Sequence, residues 1–230
     1  DCVDFTKRPV SLGEGGACTL TLCYLSGMVK MERVSDYVLR PLAQDEALAR
    51  CGTPRQAMEE MMGGALYNLS AAERTTLDEA AFDLVAGWCL LFFPGESAVL
   101  SLFVGTEEKR SISSPSNETV LKGSRDAFVE SLRTNTSIVR RHLKAPELRI
   151  REQVVGRQSV TSVDILYIEG LTNPHLVEQV AAQLADIDID AVLATGNIEE
   201  YIVPAARTAF PLVQYTERSD RFCAGLAEGR

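Results

Sequence analysis

Apolar residues recur along the chain in two similar segments, and each segment predicts a strand, a glycine turn and a helix. In the later segment, residues 163–168 form an apolar run of strand length, Gly170 ends it, and apolar positions return at helical spacing over Pro174–Ala185. In the earlier segment, residues 20–25 form the strand and Gly27 the turn. The shared order of elements predicts a protein built from two related units.

The two segments align without a gap at a spacing of 143 residues, so that residues 13–42 overlay residues 156–185. Identical residues meet at four positions, namely Gly13 and Gly156, Tyr24 and Tyr167, Gly27 and Gly170, and Val34 and Val177. We therefore predict an α/β fold with two similar small lobes, with a chance match of two unrelated units as the alternative. The earlier helix is expected to end at Pro41, because proline lacks the N–H that a helix interior requires.

Similar patterns predict the remaining elements. Helices are predicted at 54–62, from Thr76 to Gly87, near Ile202 and at 220–227; strands are predicted at 66–69, 148–155, 191–194 and 212–215, with a hairpin formed by 88–93 and 98–104. The longest helix is predicted to run from Ser124 or Arg125 to Lys144, because apolar residues recur there at intervals of three and four until Pro146. This helix is expected to join the two lobes.

These elements divide the chain into an N-terminal lobe at 1–122, a connecting helix at 123–145 and a second lobe at 146–230. Comparison of the lobes also predicts how the second one continues. Gly229 corresponds to Gly87, which the hairpin of the first lobe follows. We therefore expect the native protein to continue beyond Arg230 with apolar strands.

Composition narrows the class of partner. The 230 residues carry a net charge of −9 with a pI of about 4.9, which argues against nucleic acid because phosphate contacts require a basic surface. The longest apolar stretch, residues 84–93, is about half of the roughly 20 residues that a bilayer-spanning helix needs. The six cysteines show no CxxC pair and no metal-ligand spacing, so we expect reduced, cytosolic thiols and no zinc.

Candidate catalytic and ligand-binding motifs do not satisfy the chemistry they would need. Neither His142 nor His175 lies in a pattern that pairs a nucleophile with its base, so both are interpreted as surface residues. Aspartates at 186, 188 and 190 resemble the start of a calcium loop, but Ala191 stands where that loop needs glycine. The glycines at 13, 15 and 16 precede no Gly-Lys-Ser/Thr and are interpreted as a hairpin turn. The sequence predicts no enzyme, no cofactor and no metal.

Positive charge is concentrated on the predicted connecting helix and just beyond it. The residues are Arg133, Arg140, Arg141, Lys144, Arg149 and Arg151. On an acidic protein such a patch could seat an acidic partner or lipid headgroups. A solvated basic face that pairs with acidic residues of the lobes is the alternative.

Several stretches of the second half resemble one known family. In order, they are KGSRDAFVESLRTN at 122–135, Arg140 and Arg141, LYIEGLTNPHLVEQV at 166–180, DIDID at 186–190, GNIEEYI at 196–202 and FPLVQYTERSDR at 210–221. Together they resemble the A-subunit family of bacterial spore germination receptors. The resemblance covers residues 115–230 and is weaker over 1–103, where the glycine turn and the hairpin carry it.

This resemblance implies a cytosolic N-terminal region of two α/β lobes that precedes membrane-spanning helices absent from this chain. Members act with a transporter-like B subunit and a lipoprotein C subunit in the spore inner membrane, where nutrient sensing triggers ion release. Their A subunits look like components of an oligomeric channel, which implies a homo-oligomer through the full-length protein. Two prolines that the family has near helix starts are Ser124 and Ser219 here. The first change also occurs in the sporulation-stage paralogue, so a receptor subunit and that paralogue both stay open.

Two groups of residues become candidates for interaction through this resemblance. They are Gly123, Arg125, Phe128, Glu130, Arg133, Arg140 and Arg141 around the connecting helix, and Thr216, Glu217, Arg218 and Asp220 near the end. The leading hypothesis is a non-enzymatic domain that passes on a germinant signal and holds the membrane portion in an oligomer. Charge reversal at Arg140 and Arg141 is then expected to weaken assembly while leaving the fold intact. The alternative is a two-lobed module that binds a small-molecule germinant between its lobes.

Overall fold

The computed structural model describes residues 2–12, 18–66, 70–105, 126–192, 195–203 and 212–230. The chain divides into two compact units. The N-terminal unit comprises Asp4–Lys109 together with Lys144–Pro146. The C-terminal unit comprises Asp1–Val3, Arg110–Leu143 and Glu147–Arg230.

The N-terminal unit is built on a five-stranded antiparallel sheet. Its strands are β1 (Phe5–Ser11), β2 (Thr19–Leu25), β3 (Ala71–Arg74), β4 (Trp88–Phe92) and β5 (Val99–Phe103), in the order β1-β2-β4-β5-β3. β2 is therefore an interior strand, paired on one side with β1 and on the other with β4. The predicted hairpin is confirmed as β4 and β5. The glycines at 13, 15 and 16 lie outside the described residues.

Helices cover both faces of this sheet. They are α1 (Met31–Arg33), α2 (Arg40–Gln44), α3 (Glu46–Ala49), α4 (Pro54–Glu60) and α5 (Leu77–Val85), with π-helical turns at Val34–Leu39 and Met61–Ala65. On one face, Leu22 of β2 packs with Val34 and Val38 in the larger core cluster. On the other face, Cys23 packs with Ala80 of α5. Successive residues of β2 are thus buried on opposite faces of the sheet, as expected of an interior strand.

Pro41 does not end the first helical stretch, so that prediction is wrong. The stretch passes from a π-helical turn into α2, and the backbone N–H of Arg40 donates to the carbonyl oxygen of Ser35, five residues earlier. Pro41 lies in the first turn of the α-helical segment, where its missing N–H is tolerated. The wide turn before Pro41 therefore accommodates the proline, and the helix continues to Gln44.

The C-terminal unit combines a β-hairpin with helices on both of its faces. Its elements are α6 (Leu132–His142), β6 (Leu148–Val155), β7 (Thr161–Ile168), α7 (Pro174–Ala185), α8 (Thr195–Ile202) and α9 (Ser219–Ala227). Leu184 of α7 packs with Val155 and Ile165 on one face of the hairpin. α9 contacts β7 and α6. The chain's first residues also belong here, because the Val3 N–H donates to the Ile150 carbonyl oxygen at 3.0 Å.

Both copies of the sequence repeat fold as strand, turn and helix, which confirms the predicted α/β class with two similar lobes. The likeness extends upstream of the aligned segments into two hairpins. Phe5 pairs with Leu25 in the β1-β2 hairpin, and Leu148 pairs with Ile168 in the β6-β7 hairpin. Both members of the second pair are shifted by 143 residues, so the two hairpins have the same register. The repeat is therefore a repeat of strand pairing as well as of sequence.

Helix α6 is shorter than predicted. It begins at Leu132 and not at Ser124 or Arg125, and the described residues just before it are not helical. The side chain of Asn135 explains this start, because its Oδ1 accepts from the Val129 N–H at 2.8 Å and its Nδ2 donates to the Val129 carbonyl at 2.6 Å. By its contacts α6 is part of the C-terminal unit. The finer division into 1–122, 123–145 and 146–230 stays a prediction.

Some predicted elements are absent from the described residues. Residues 212–215 are not a strand, and neither are residues 191–192 or Leu66; residues 67–69 and 193–194 lie outside the described part. α7, with 12 residues, is longer than α6, with 11, so α6 is not the longest helix. Apolar runs of strand length form strands only where a neighbouring strand supplies hydrogen bonds. Residues 212–215 have no such neighbour within the described chain.

Candidate interaction surface

The two groups of candidate residues meet in the C-terminal unit. Ala127 and Arg218 form an isolated antiparallel bridge, and the Phe128 N–H donates to the Glu217 carbonyl at 2.8 Å. The Ser219 hydroxyl donates to the carbonyl oxygen of Asp126 at 3.0 Å, across 93 residues of chain. The two stretches are therefore joined directly at 126–128 and 217–219, and we call residues 126–133 and 212–222 together the bridge surface. No sequence pattern indicated directly that these stretches pair.

An aromatic pair packs beneath the bridge. The rings of Phe128 and Phe222 meet edge to face, with centroids 5.4 Å apart and planes at 81°. Phe222 projects from α9, and both side chains are half-buried. Phe128 therefore packs inside the C-terminal unit and is not a fully exposed contact residue. Gly123 and Arg125 lie outside the described residues, and Glu130 is exposed.

Arg218 and Asp220 form a charged pair at the start of α9. The guanidinium donates to both carboxylate oxygens, Nε to Oδ1 at 3.0 Å and Nη2 to Oδ2 at 2.5 Å. The Thr216 hydroxyl accepts from the backbone N–H of Arg218 at 3.0 Å, which orders the approach to the helix. The hydrogen bond from Arg218 lowers the pKa of Asp220, and a backbone N–H from Arg221 acts in the same direction against the opposing effect of burial.

The Arg218 and Asp220 pair is expected to make stability depend on pH. Because the pKa of Asp220 is lower in the folded state, the pair stabilises the fold above the ordinary aspartate pKa of about 3.9 and is lost as pH falls through the lower folded value. We expect Asp220→Asn to reduce the free energy of unfolding most above pH 5. The deficit against the native chain should shrink below pH 4, as followed by urea unfolding at each pH. A deficit that is constant from pH 7 to pH 3 would contradict this assignment.

Arg133 is tied to the hairpin rather than available to a partner. Its guanidinium contacts the carboxylate of Glu152 on β6 and lies 3.5 Å from the carboxylate of Asp164 on β7. The pKa of Glu152 is lowered, first by a hydrogen bond with Ser162 and then by Arg133. These contacts join α6 to both strands of the hairpin.

Arg140 is buried, which contradicts its predicted place on a basic surface. Only 2% of the residue is exposed. Its Nη1 donates to the Leu148 carbonyl at 3.0 Å, and its Nη2 lies 3.1 Å from the Cys2 sulfur. Arg141 is exposed by contrast, and its guanidinium donates to the carbonyl and hydroxyl oxygens of Ser137 on its own helix, each at 3.1 Å. The neighbours therefore have different roles, and charge reversal at Arg140 cannot leave the fold intact.

Two further residues of the predicted basic patch are paired with acidic side chains. Arg149 contacts Glu169 at 2.5 Å, and Arg151 contacts Glu178 at 3.0 Å. These pairs, like Arg133 with Glu152, cancel much of the local charge. The structure thus favours the alternative of a solvated face that pairs with acidic residues. Exposed pairs of this kind contribute only about 0 to 1 kcal/mol each to stability.

A serine, a histidine and an aspartate meet at the bridge, but not as a catalytic triad. The Ser219 oxygen and an Asp126 carboxylate oxygen lie 3.3 Å and 3.4 Å from the same nitrogen, Nε2 of His142. A triad requires the serine and the carboxylate on opposite ring nitrogens. Ser219 is also fully buried, with its hydroxyl directed at a carbonyl. This arrangement is structural.

The described residues were also compared with the requirements of metal sites, disulfides and membrane-spanning helices. The described residues contain no group of three or more His, Cys, Asp or Glu that could hold a metal ion. All six cysteines are free thiols, and burial raises the pKa of Cys223, next to the bridge, to about 11. None of the helices in the described ranges is long and apolar enough to cross a bilayer.

An apolar cavity of about 180 Å³ lies beside the bridge surface within the C-terminal unit. Residues from α6, α9 and β7 line it together with Phe128: Leu132, Asn135, Thr136, Val139, Asp164, Leu166 and Phe222. The cavity was not predicted from the sequence, although the apolar spacing along α6 indicated an apolar helix face. We call it the β7 groove.

Exposed apolar residues are the second feature that the sequence analysis missed. Leu212 is 52% exposed and Tyr215 is 53% exposed, directly before the bridge residues. Residues 212–215 are predicted to be a strand, yet no strand of the described chain pairs with them. Exposed apolar side chains close together in the chain make this stretch a candidate contact surface.

The two-unit α/β architecture of the chain matches that of a germinant-receptor domain of known structure. The crystal structure of the N-terminal domain of the A subunit of the Bacillus megaterium spore germinant receptor GerK3 is similar to it, with a TM-score of 0.71 and 27% identity. That similarity covers 100% of this chain and 83% of the other.

The chain belongs to the GerA family, as its sequence resemblance indicated. The family model described as Bacillus/Clostridium GerA spore germination protein matches residues 1–230. The uncharacterized membrane protein YfkQ of Bacillus subtilis (strain 168) is 35% identical over 229 residues, covering 100% of this chain and 43% of its own length. Spore germination protein KA of the same organism is 32% identical over 229 residues, with coverage of 99% and 41%. The chain thus spans less than half the length of these relatives.

A third relative bears on the choice between receptor subunit and paralogue. Stage V sporulation protein AF of Bacillus subtilis (strain 168) is 30% identical over 211 residues, covering 91% of this chain and 42% of that protein. The family membership supports a general role in spore germination. The role of the individual candidate residues, and the alternative of a nutrient held between two lobes, stay predictions.

Proposed function

We propose that this chain is the signalling and assembly domain of a germinant receptor A subunit and has no enzymatic activity. The observation that carries the proposal is the similarity, over the whole chain, to the N-terminal domain of the GerK3 A subunit. The sporulation-stage paralogue is included in the proposal, because stage V sporulation protein AF is nearly as similar as the germination proteins.

The partners in this proposal are the B and C subunits of the receptor and further copies of the full-length protein. The complex lies in the spore inner membrane, with this domain on the cytoplasmic side. Membrane contact is made by segments of the full-length protein that are not in this chain. The family membership and the description of YfkQ as a membrane protein support this arrangement.

The bridge surface is the contact region in this proposal. Its buried side is organised by the Phe128 and Phe222 pair and by Arg218 with Asp220. Tyr215 and the charged Glu130 are exposed members of the same surface. A half-exposed aromatic residue beside charged groups is typical of the anchor residues in protein interfaces.

The proposal predicts that Tyr215→Glu in the full-length protein weakens both assembly and germination. Loss of an aromatic anchor weakens an interface by at least about 1 to 2 kcal/mol, which corresponds to about tenfold in affinity. The measurements are recovery of the B and C subunits with the purified protein, and the rate of nutrient-triggered germination of spores that carry the variant.

A matched variant and a second charge reversal control this experiment. Tyr37→Glu changes a tyrosine of similar exposure, 40%, in the N-terminal unit and is expected to preserve assembly. Arg141→Glu tests the exposed part of the basic helix. Normal germination and normal recovery of both subunits in Tyr215→Glu, at normal protein level, would show that the bridge surface is not the contact region.

A further inference from the structure

Among the described residues, the two units differ in the number of strands beside their equivalent hairpins. In the N-terminal unit, β2 pairs with β4 along the edge that faces away from β1. In the C-terminal unit, β7 corresponds to β2, and within the described residues it pairs with β6 alone. Side-chain burial follows this difference. Leu22 and Cys23 of β2 are buried, whereas Ile165 and Leu166, at the equivalent positions of β7, are only half-buried.

The segment after α9 resembles the segment after α5, which leads into β4. α5 and α9 are both nine residues long, and each is followed by a single residue and then a glycine with positive φ. A Cβ built on Gly87 would lie 3.0 Å from the Met28 carbonyl oxygen, and one built on Gly229 would lie 3.1 Å from the Leu171 carbonyl oxygen. Met28 and Leu171 are themselves equivalent in the 143-residue repeat. Gly87 and Gly229 therefore approach equivalent carbonyl oxygens in the turns of the two repeat copies.

In the N-terminal unit the residues after Gly87 form β4 directly. Leu90 pairs with Cys23, Leu91 with Leu22, and Phe92 with Thr21. Leu90 packs with Cys23 and Ala80 on the α5 side of the sheet, and Phe92 packs against the same cluster. In the C-terminal unit the corresponding side is the one that carries α9 and the β7 groove.

We propose that the stretch of the full-length protein that follows Arg230 adds an antiparallel strand to β7 and covers the β7 groove. Transfer of the β2-β4 register places position 232 opposite Leu166, position 233 opposite Ile165 and position 234 opposite Asp164. Side chains at 232 and 234 are apolar and face the groove, while 233 faces α7. The relatives extend well beyond the length matched here, which leaves room for this strand in the intact protein.

The test is a disulfide across the proposed strand pair in the full-length protein. Leu166→Cys combined with a cysteine at position 232 is expected to oxidise to an intramolecular disulfide in most molecules, because cross-strand Cβ atoms lie about 4.5–5.5 Å apart. Mass spectrometry of the linked peptides identifies the bond without removal of the native cysteines. The matched control is Ile165→Cys with the same cysteine at 232, whose side chains would project to opposite faces.

Each outcome decides the proposal. A disulfide between positions 166 and 232 of the same chain, with little or none between 165 and 232, supports the proposed strand after Arg230 and its register on β7. A bond between two chains identifies a second copy as the occupant and overturns the proposal, as does a yield no higher than that of the control. Hydrogen exchange of the unmodified full-length protein gives an independent measurement. The β7 amides that point away from β6 should have protection factors within about tenfold of those of the amides that point toward β6. If they exchange as fast as the amides of an unpaired edge strand, the proposal is overturned.

Discussion

Replacing Arg140 by glutamate is expected to destabilise the C-terminal unit strongly, even though the residue lies in a basic segment of the sequence. The native guanidinium is 2% exposed and donates to the Leu148 carbonyl at the start of β6. Its second nitrogen lies 3.1 Å from the Cys2 sulfur, which also accepts from the Ile150 N–H at 3.2 Å. A carboxylate in this place would face the Leu148 carbonyl oxygen, and it could not donate the hydrogen bonds that the guanidinium makes.

The expected loss is large compared with the stability of a domain. Disruption of a buried charged hydrogen-bond arrangement costs about 3 to 5 kcal/mol, while whole domains are stable by about 5 to 15 kcal/mol. Urea unfolding and hydrogen exchange of β6 and β7 measure the effect. Arg141→Glu, the next residue of the same helix, is exposed and should change the free energy of unfolding by less than about 1 kcal/mol. Equal stability of the two variants would show that Arg140 is not a structural residue.

Helices whose ends depend on local signals could be predicted from the sequence almost to the residue. α7 begins at Pro174 because Asn173 caps it, its Oδ1 accepting from the His175 N–H at 3.0 Å, and both signals are adjacent in the sequence. α6 could be predicted only in part. Its cap, the Ser131 hydroxyl that accepts from the Thr134 N–H, is a local signal. The Asn135 bonds with Val129 and the bridge to residues about ninety positions later, which also hold the preceding segment, are recorded by no local pattern.

The candidate surface was predicted in part, for the same reason. The resemblance selected residues at both ends of what is one region in the structure, but it could not distinguish Arg140 from Arg141. Helical spacing places Arg140 beside the apolar stripe that contains Thr136 and Val139. Whether an arginine at such a boundary is buried depends on an acceptor elsewhere in the fold. Here the acceptor is the Leu148 carbonyl oxygen, and its position follows from the β6-β7 hairpin.

Substitution of Gly87 by alanine is expected to destabilise the N-terminal unit more than the same change at Gly95. Both glycines have positive φ, 89° and 80°, where alanine costs about 1 to 2 kcal/mol. A Cβ at Gly95 would meet no atom within 4 Å. At Gly87 it would lie 3.0 Å from the Met28 carbonyl oxygen and 3.2 Å from the Cα of Gly105, both backbone atoms that cannot rotate away. Forced backbone shifts of this kind cost a further ~1 to 3 kcal/mol.

Trp88, the single tryptophan of the chain, follows Gly87 and opens β4, so its fluorescence during urea unfolding reports on this substitution directly. The repeat extends the expectation to the C-terminal unit. Gly229→Ala would place a Cβ 3.1 Å from the Leu171 carbonyl oxygen, whereas Gly170→Ala, at a similar φ of 81°, would meet no atom within 4 Å. Each unit thus supplies one strained position, Gly87 or Gly229, and one open control, Gly95 or Gly170. Equal losses at Gly87 and Gly95 would mean that only φ matters, and that the close approach at Gly87 does not hold the turn in place.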